Sequence, residues 1–144
     1  MSADDPGTEE TRASREERLA ILFEQAADAI YVSRLDGRFV QVNQQACRAT
    51  GYTEEELLTM NAADLDLTLA TPEAAKAYFE TLSSGRHTVL NSRQRRKDGS
   101  TFPVEVTIAI MDTAGGPHVL GIARDVTERK QAEEALRESE YNYR

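Results

Sequence analysis

Residues 101 to 112 read TFPVEVTIAIMD, and every second residue from Phe102 to Ile110 is large and apolar. Phe102, Val104, Val106, Ile108 and Ile110 alternate with Pro103, Glu105, Thr107 and Ala109. A period of two places such residues on one face of a β-strand, whereas a helix would scatter them around its circumference. The chain therefore contains a strand with one wholly apolar face, and a second layer must cover that face. The turns KDGS before it and TAGG after it lead to two further strand-like runs, HTVLNSRQRR and PHVLGIARD, so consecutive antiparallel hairpins are predicted.

The first half of the chain adds another hairpin and several helices. AIYVSRLDGRFVQVN holds two β-branched and aromatic runs around Asp36-Gly37, which predicts strands at about 29–33 and 38–42. Ile30 and Val32 share one face of the first, and Val40 and Val42 share one face of the second. Before them, SREERLAILFEQAA has a capping box in Ser14 and Glu17, with Leu19, Leu22, Phe23 and Ala26 at helical spacing. After them, QQACRAT ends at Gly51, Thr53 and Glu56 offer a second capping box, and NAADLDL reads as a short helical turn. TPEAAKAYFETLSSG has Thr71 as N-cap, Pro72 at the first helical position and Gly85 beyond the end. A last helix is expected over about 126–142.

Strands grouped apart from a block of helices, without βαβ alternation, define an α+β fold with an antiparallel sheet. The expected organisation is a disordered tail over 1–13, a flanking helix over 14–27, a core over 28–125 and a closing linker helix over 126–144.

Composition excludes several classes of function. A net charge of −8 and a pI near 4.8 disfavour nucleic acid and anionic membranes, whose binding rests on Lys and Arg. The basic cluster RQRRK, Arg93 to Lys97, reads as a solvated strand end and turn. No apolar run approaches the ~20 residues of a membrane helix, and MSADDPGTEETRAS lacks the basic start and apolar core of a signal peptide. The single cysteine, Cys47, fits a reducing compartment and reads as a packed helical thiol, so a cytoplasmic location is expected.

No catalytic motif emerges. His87 and His118 stand at strand starts without metal-ligand spacing, and Gly115-Gly116 lies in a hairpin without the Lys-Ser/Thr of a phosphate loop. The acidic runs read as solvated helix faces. A small α+β enzyme stays an alternative for which no acid or base can be nominated.

Three stretches, LFEQAADAIYVSRLDGRFVQVNQQACRATGYTEEELL, RRKDGSTFPVEVTIAIM and VLGIARDVTERKQAEEALRESE, together resemble the PAS sensory domain with its PAC C-terminal segment, over about residues 18 to 140. Such domains occur in histidine kinases and cyclic-di-GMP enzymes. The resemblance implies a five-stranded antiparallel sheet with short helices on one face around a small cavity, and flanking helices that carry dimer contacts. It also implies tests for cofactors. Ala62 stands where flavin-binding members place a reactive cysteine, Ala123 where they place a glutamine, and PEAAKAYFE lacks the haem-ligating histidine, so neither flavin nor haem is expected.

Candidate cavity-lining residues are Ile30, Val32, Phe79, Val104, Val106 and Ile108, with the small Gly121 and Ala123 on the last strand. These residues either enclose a small, mostly apolar ligand or simply pack together. Tyr78, Asn91 and Thr107 are candidates for a polar contact.

In the family the Asp-x-Thr element, here Asp125 and Thr127, joins sensor to output. The helix after it carries Arg129, Ala132, Leu136, Ser139 and Tyr143 in a heptad-like seam, too weak to stand alone. Asp125, Thr127 and Leu136 are therefore the expected signal relay. The chain is expected to be the sensory fragment of a larger protein, a homodimer through its flanking helices that responds to a small ligand or partner and signals to a kinase or cyclase. The alternative is a ligand-free interaction and dimerisation module.

Overall fold

The computed structural model describes residues 10 to 143. The elements are α1 (Arg12–Gln25), β1 (Ala29–Arg34), β2 (Phe39–Val42), α2 (Gln44–Thr50), α3 (Glu54–Leu57), α4 (Ala62–Leu65), α5 (Pro72–Glu80), β3 (His87–Arg95), β4 (Thr101–Thr113), β5 (Gly116–Asp125) and α6 (Thr127–Tyr143). The strands form one antiparallel sheet in the order β2-β1-β5-β4-β3, as the alternating pattern and hairpin turns require.

The inner face is covered by α2 to α5. Phe102, Val104, Val106 and Ile108 of β4 meet Ala46, Leu57, Leu65, Ala75 and Phe79 in one apolar core. Burial on this scale is worth roughly 1.5–3 kcal/mol per large side chain, which is what holds helices as short as four residues. Their ends are closed as the sequence indicates. Thr53 and Glu56 form a capping box, Thr71 accepts from the Ala74 N–H with Pro72 in the first turn, and Gly51 takes a left-handed φ of 82°.

The β1–β2 hairpin tip requires its glycine. Gly37 has φ 91°, and a Cβ there would stand 2.6 Å from Asn61 Oδ1. Asn61 caps α4 and donates to the Asp36 carbonyl at 2.8 Å, so the tip is clamped to the helical layer.

Three local expectations are corrected. The N-cap of α1 is Thr11, whose hydroxyl accepts from the Ser14 N–H, so Ser14 lies inside the first turn and the helix starts earlier than expected. Residues 1–9 of the expected tail lie outside the described residues. In β1 the inward residues are Ala29, Tyr31 and Ser33, while Ile30 and Val32 face the other side half-exposed. In β2 a register shift opposite Val32 and Ser33 turns Val40 outward, leaving Phe39 and Val42 buried.

Candidate functional site

The core cavity lies between the sheet and the helices and measures about 50 Å³. Its walls come from β1 and β2 (Tyr31, Ser33, Phe39), the helical layer (Ala62, Leu65, Leu69, Phe79) and the other strands (Leu90, Gln94, Val106, Ile108, Val119, Gly121), with Asp66 after α4. Phe79, Val106, Ile108 and Gly121 thus meet around it. Val104 and Ala123 line a second cavity instead, and Ile30 and Val32 line neither.

Parity explains the error at Ile30 and Val32. Tyr31 pairs with Gly121, which contributes to the cavity wall, so the even residues of β1 stand back to back with it. Ile30 pairs with Ile122 and Val32 with Leu120, making an apolar strip on the outer face. The polar candidates Tyr78, Asn91 and Thr107 do not line the cavity; Thr107 is displaced by the same alternation. The polar groups there are Tyr31, Ser33, Asp66 and Gln94, which sequence reasoning passed over. The local signal for them is the alternation of Ala29, Tyr31 and Ser33 with Ile30 and Val32, in which the β-branched pair takes the outer face.

Asp66 is buried beside α4. Its Oδ1 accepts from the Ser92 hydroxyl at 2.5 Å and the Thr68 N–H at 2.9 Å. Burial pushes its carboxyl above the ordinary value, and these hydrogen bonds oppose the shift without cancelling it. Tyr31 has a buried hydroxyl with no hydrogen-bond partner among the described residues, and burial drives its titration upward, with a smaller contribution from Cys47. Burial likewise raises the Cys47 thiol, consistent with a packed rather than reactive side chain. Among the described residues, no three His, Cys, Asp or Glu side chains are grouped to hold a metal.

The second cavity, about 120 Å³, lies where both flanking helices join the sheet. β1 begins at Ala29 beside Ala123 near the end of β5, so α1 and α6 leave the domain from the same side. Arg124 Nη2 reaches Asp28 Oδ2 at 3.2 Å across this junction. Asn43, fully buried, fastens the α1 end: it accepts from the Ile30 and Ala46 N–H groups and donates to the Phe23 and Asp28 carbonyls, all within 2.9–3.1 Å.

At the other root Asp125 Oδ1 accepts from the Thr127 N–H at 2.9 Å and from its hydroxyl at 2.5 Å, one residue before the N-cap Val126, whose carbonyl accepts from the Lys130 N–H at 2.9 Å. Val126 is buried and its N–H donates to the Pro103 carbonyl at 3.1 Å. Beyond Thr127 the helix is exposed, Leu136 at 61 %, and the Tyr143 side chain of the expected seam lies outside the described residues. The RQRRK cluster is largely engaged locally. Arg96 stacks 4.2 Å above the Phe102 ring and donates to the Ala49 carbonyl, and Lys97 pairs with Glu56 at 2.8 Å.

This architecture is that of a PAS domain, and a family model described as PAS domain matches residues 27–128. The chain belongs to the PAS family. It is 28 % identical over 123 residues to a methyl sulfide methyltransferase-associated sensor of Methanosarcina acetivorans, covering 85 % of this chain and 12 % of that one. It is 26 % identical over 134 residues to the sensor protein FixL of Bradyrhizobium diazoefficiens, covering 87 % and 26 %. The chain thus spans between about an eighth and a quarter of these relatives' lengths. Among solved structures, the PAS domain of an HTR-like protein from Haloarcula marismortui superposes with a TM-score of 0.73 at 32 % identity, covering 78 % of this chain and 98 % of that one. A domain of a sensory box sensor histidine kinase/response regulator from Geobacter sulfurreducens gives 0.67 at 28 % identity, with 81 % and 98 % covered. The chain is therefore a PAS sensor domain related to the input regions of sensor proteins.

Proposed function

We propose that this domain converts occupancy of its core cavity into a change at the root of α6, and that α6 passes the change to an effector of the histidine-kinase or cyclase class. The observation that carries this reading is the course of β5. Val119 and Gly121 form part of the cavity wall, and the same strand continues to Asp125, which accepts from the first N–H of α6, within four residues of Gly121. A displacement of the wall has a short, hydrogen-bonded path to the output helix.

At about 50 Å³ the cavity holds on the order of three water-sized groups. It suits a very small, mainly apolar ligand with one polar handle. Ala62 brings a methyl group rather than a thiol to the wall, and α5 carries no imidazole, so the reading routes no step through flavin or haem.

The α1 helix supports dimerisation as part of the same reading. It buries no residue in the monomer; Leu19 is 57 % and Leu22 60 % exposed, and the strip of Ile30, Val32, Leu120 and Ile122 lies half-exposed on the outer sheet face. A second copy would cover them. No helix among the described residues is long and apolar enough to cross a membrane, and a cytoplasmic location is part of the proposal.

Xenon, a compact apolar probe, tests the reading by NMR under gas pressure. The expected result is saturable shifts at Val106, Ile108 and Gly121 that extend to Asp125 and Thr127. No saturable shift, or shifts that stop at the cavity wall, would overturn it in favour of the interaction-module reading, which the cavity's small size supports.

A further inference from the structure

The second cavity is larger than the first, about 120 Å³ against 50 Å³, and its walls are more polar. Ala27, Ala29, Ala49 and Ala123 leave the space, while Asp28, Arg124 and Asp125 stand at its side. Gln94 belongs to both linings and is the residue the two cavities share. The residue is only 5 % exposed, and its backbone bridges Asp66 and pairs with Phe102 while its side-chain amide lines both spaces. A buried amide normally has partners, because leaving its donor and acceptor unmet costs free energy. The Gln94 amide atoms are not sealed in the core as the Tyr31 hydroxyl is, so an amide without a protein partner in this wall bonds to whatever fills the space, ligand or water.

We infer that this junction cavity is a second binding site, for a small uncharged molecule of the primary amide or urea class, held by the Gln94 amide beside Asp28 and Asp125. The chemistry follows from the lining. An amide presents a C=O and an N–H side by side, the complement of the same pair on Gln94. Asp125 directs one oxygen at Thr127, while the other is 3.9 Å from Arg96, beyond hydrogen-bond reach, and remains able to accept an N–H. Asp28 is paired with Arg124 and Asp125 with Arg96, so the lining offers no unpaired positive charge to a carboxylate ligand. An ammonium ligand would compete with Arg124, already paired with Asp28. The alanine walls restrict the ligand to a few non-hydrogen atoms.

The site lies beyond the proposed core-cavity function and does not depend on it. Its ligand would touch Asp28, between α1 and β1, and Asp125, the last residue of β5 before α6, thereby biasing the junction directly.

The test is a ¹H–¹⁵N NMR titration of the full chain with propionamide and methylurea, with acetate and methylammonium as charged comparisons. Saturable shifts confined to residues near Asp28, Gln45, Ala49, Gln94 and Asp125 are expected for the two uncharged probes. Gln94→Leu keeps the volume and removes the amide, and should weaken them about tenfold or more. Ala49→Leu fills the space from α2 without touching a polar group and should abolish them. The inference is overturned by an absence of saturable shifts, by equal binding of acetate or methylammonium, by shifts that survive both substitutions, or by shifts centred on Phe79 and Ile108.

Discussion

Asn43 and Asp66 show how single buried polar groups set the properties of this domain. Asn43 satisfies four backbone groups at once and joins the end of α1 to β1 and α2. Replacing it by Ala strands those groups in the core, and each unmet buried group costs about 1–3 kcal/mol. Asn43→Ala is expected to lower stability by about 3 kcal/mol or more in urea denaturation. Asp66 behaves differently. Its carboxyl titrates above the ordinary 3.8 in the fold because burial disfavours the charge. The native state then binds more protons than the unfolded chain between those two values, so this group's contribution is full below 3.8 and is lost as pH rises through the folded value. Asp66→Asn retains an oxygen that can accept from Ser92 and Thr68 without the charge. It should match or exceed the parent's stability at pH 7, with the advantage fading toward pH 3.5 in thermal unfolding followed across pH.

At the scale of elements, α6 is fixed to the domain by the Asp125–Thr127 contact and by the buried Val126. Asp125→Ala removes the carboxylate that accepts from the first N–H of α6, a hydrogen bond worth ~1 kcal/mol. Faster amide exchange over the first turn of α6 is expected, with exchange in β4 unchanged. Elements of this kind were largely legible in the sequence. The alternation from Phe102 to Ile110, the Thr71-Pro72 start of α5 and the Gly51 cap are local signals that the fold retains. The site was less legible. Cavity lining depends on strand parity and register, which are set by pairing across the sheet, so Ile30 and Val32 misled while Tyr31 and Ser33 were passed over. Gln94 sat inside a basic run, and nothing local marks it as buried. The β2 irregularity that turns Val40 outward likewise arises only when the strand meets its neighbour.

For the whole molecule, two helices with exposed apolar residues leave from one end of a well-packed sheet. Replacing Leu19 and Leu22 together by Ser removes two large apolar groups from α1 while leaving the core intact. Sedimentation equilibrium should show a shift from dimer toward monomer with little change in the unfolding midpoint of the domain. Hydrogen exchange on Gly121→Val reads the coupling of the core cavity to α6 through β5. A Cβ at this position makes only ordinary contacts, 3.8 Å from Val106, so the added methyls extend into the space beside it. The expected result is a retained fold with altered amide exchange at Thr127 to Lys130 relative to the parent; a retained fold with those four amides exchanging at the parent's rates would rule the coupling out.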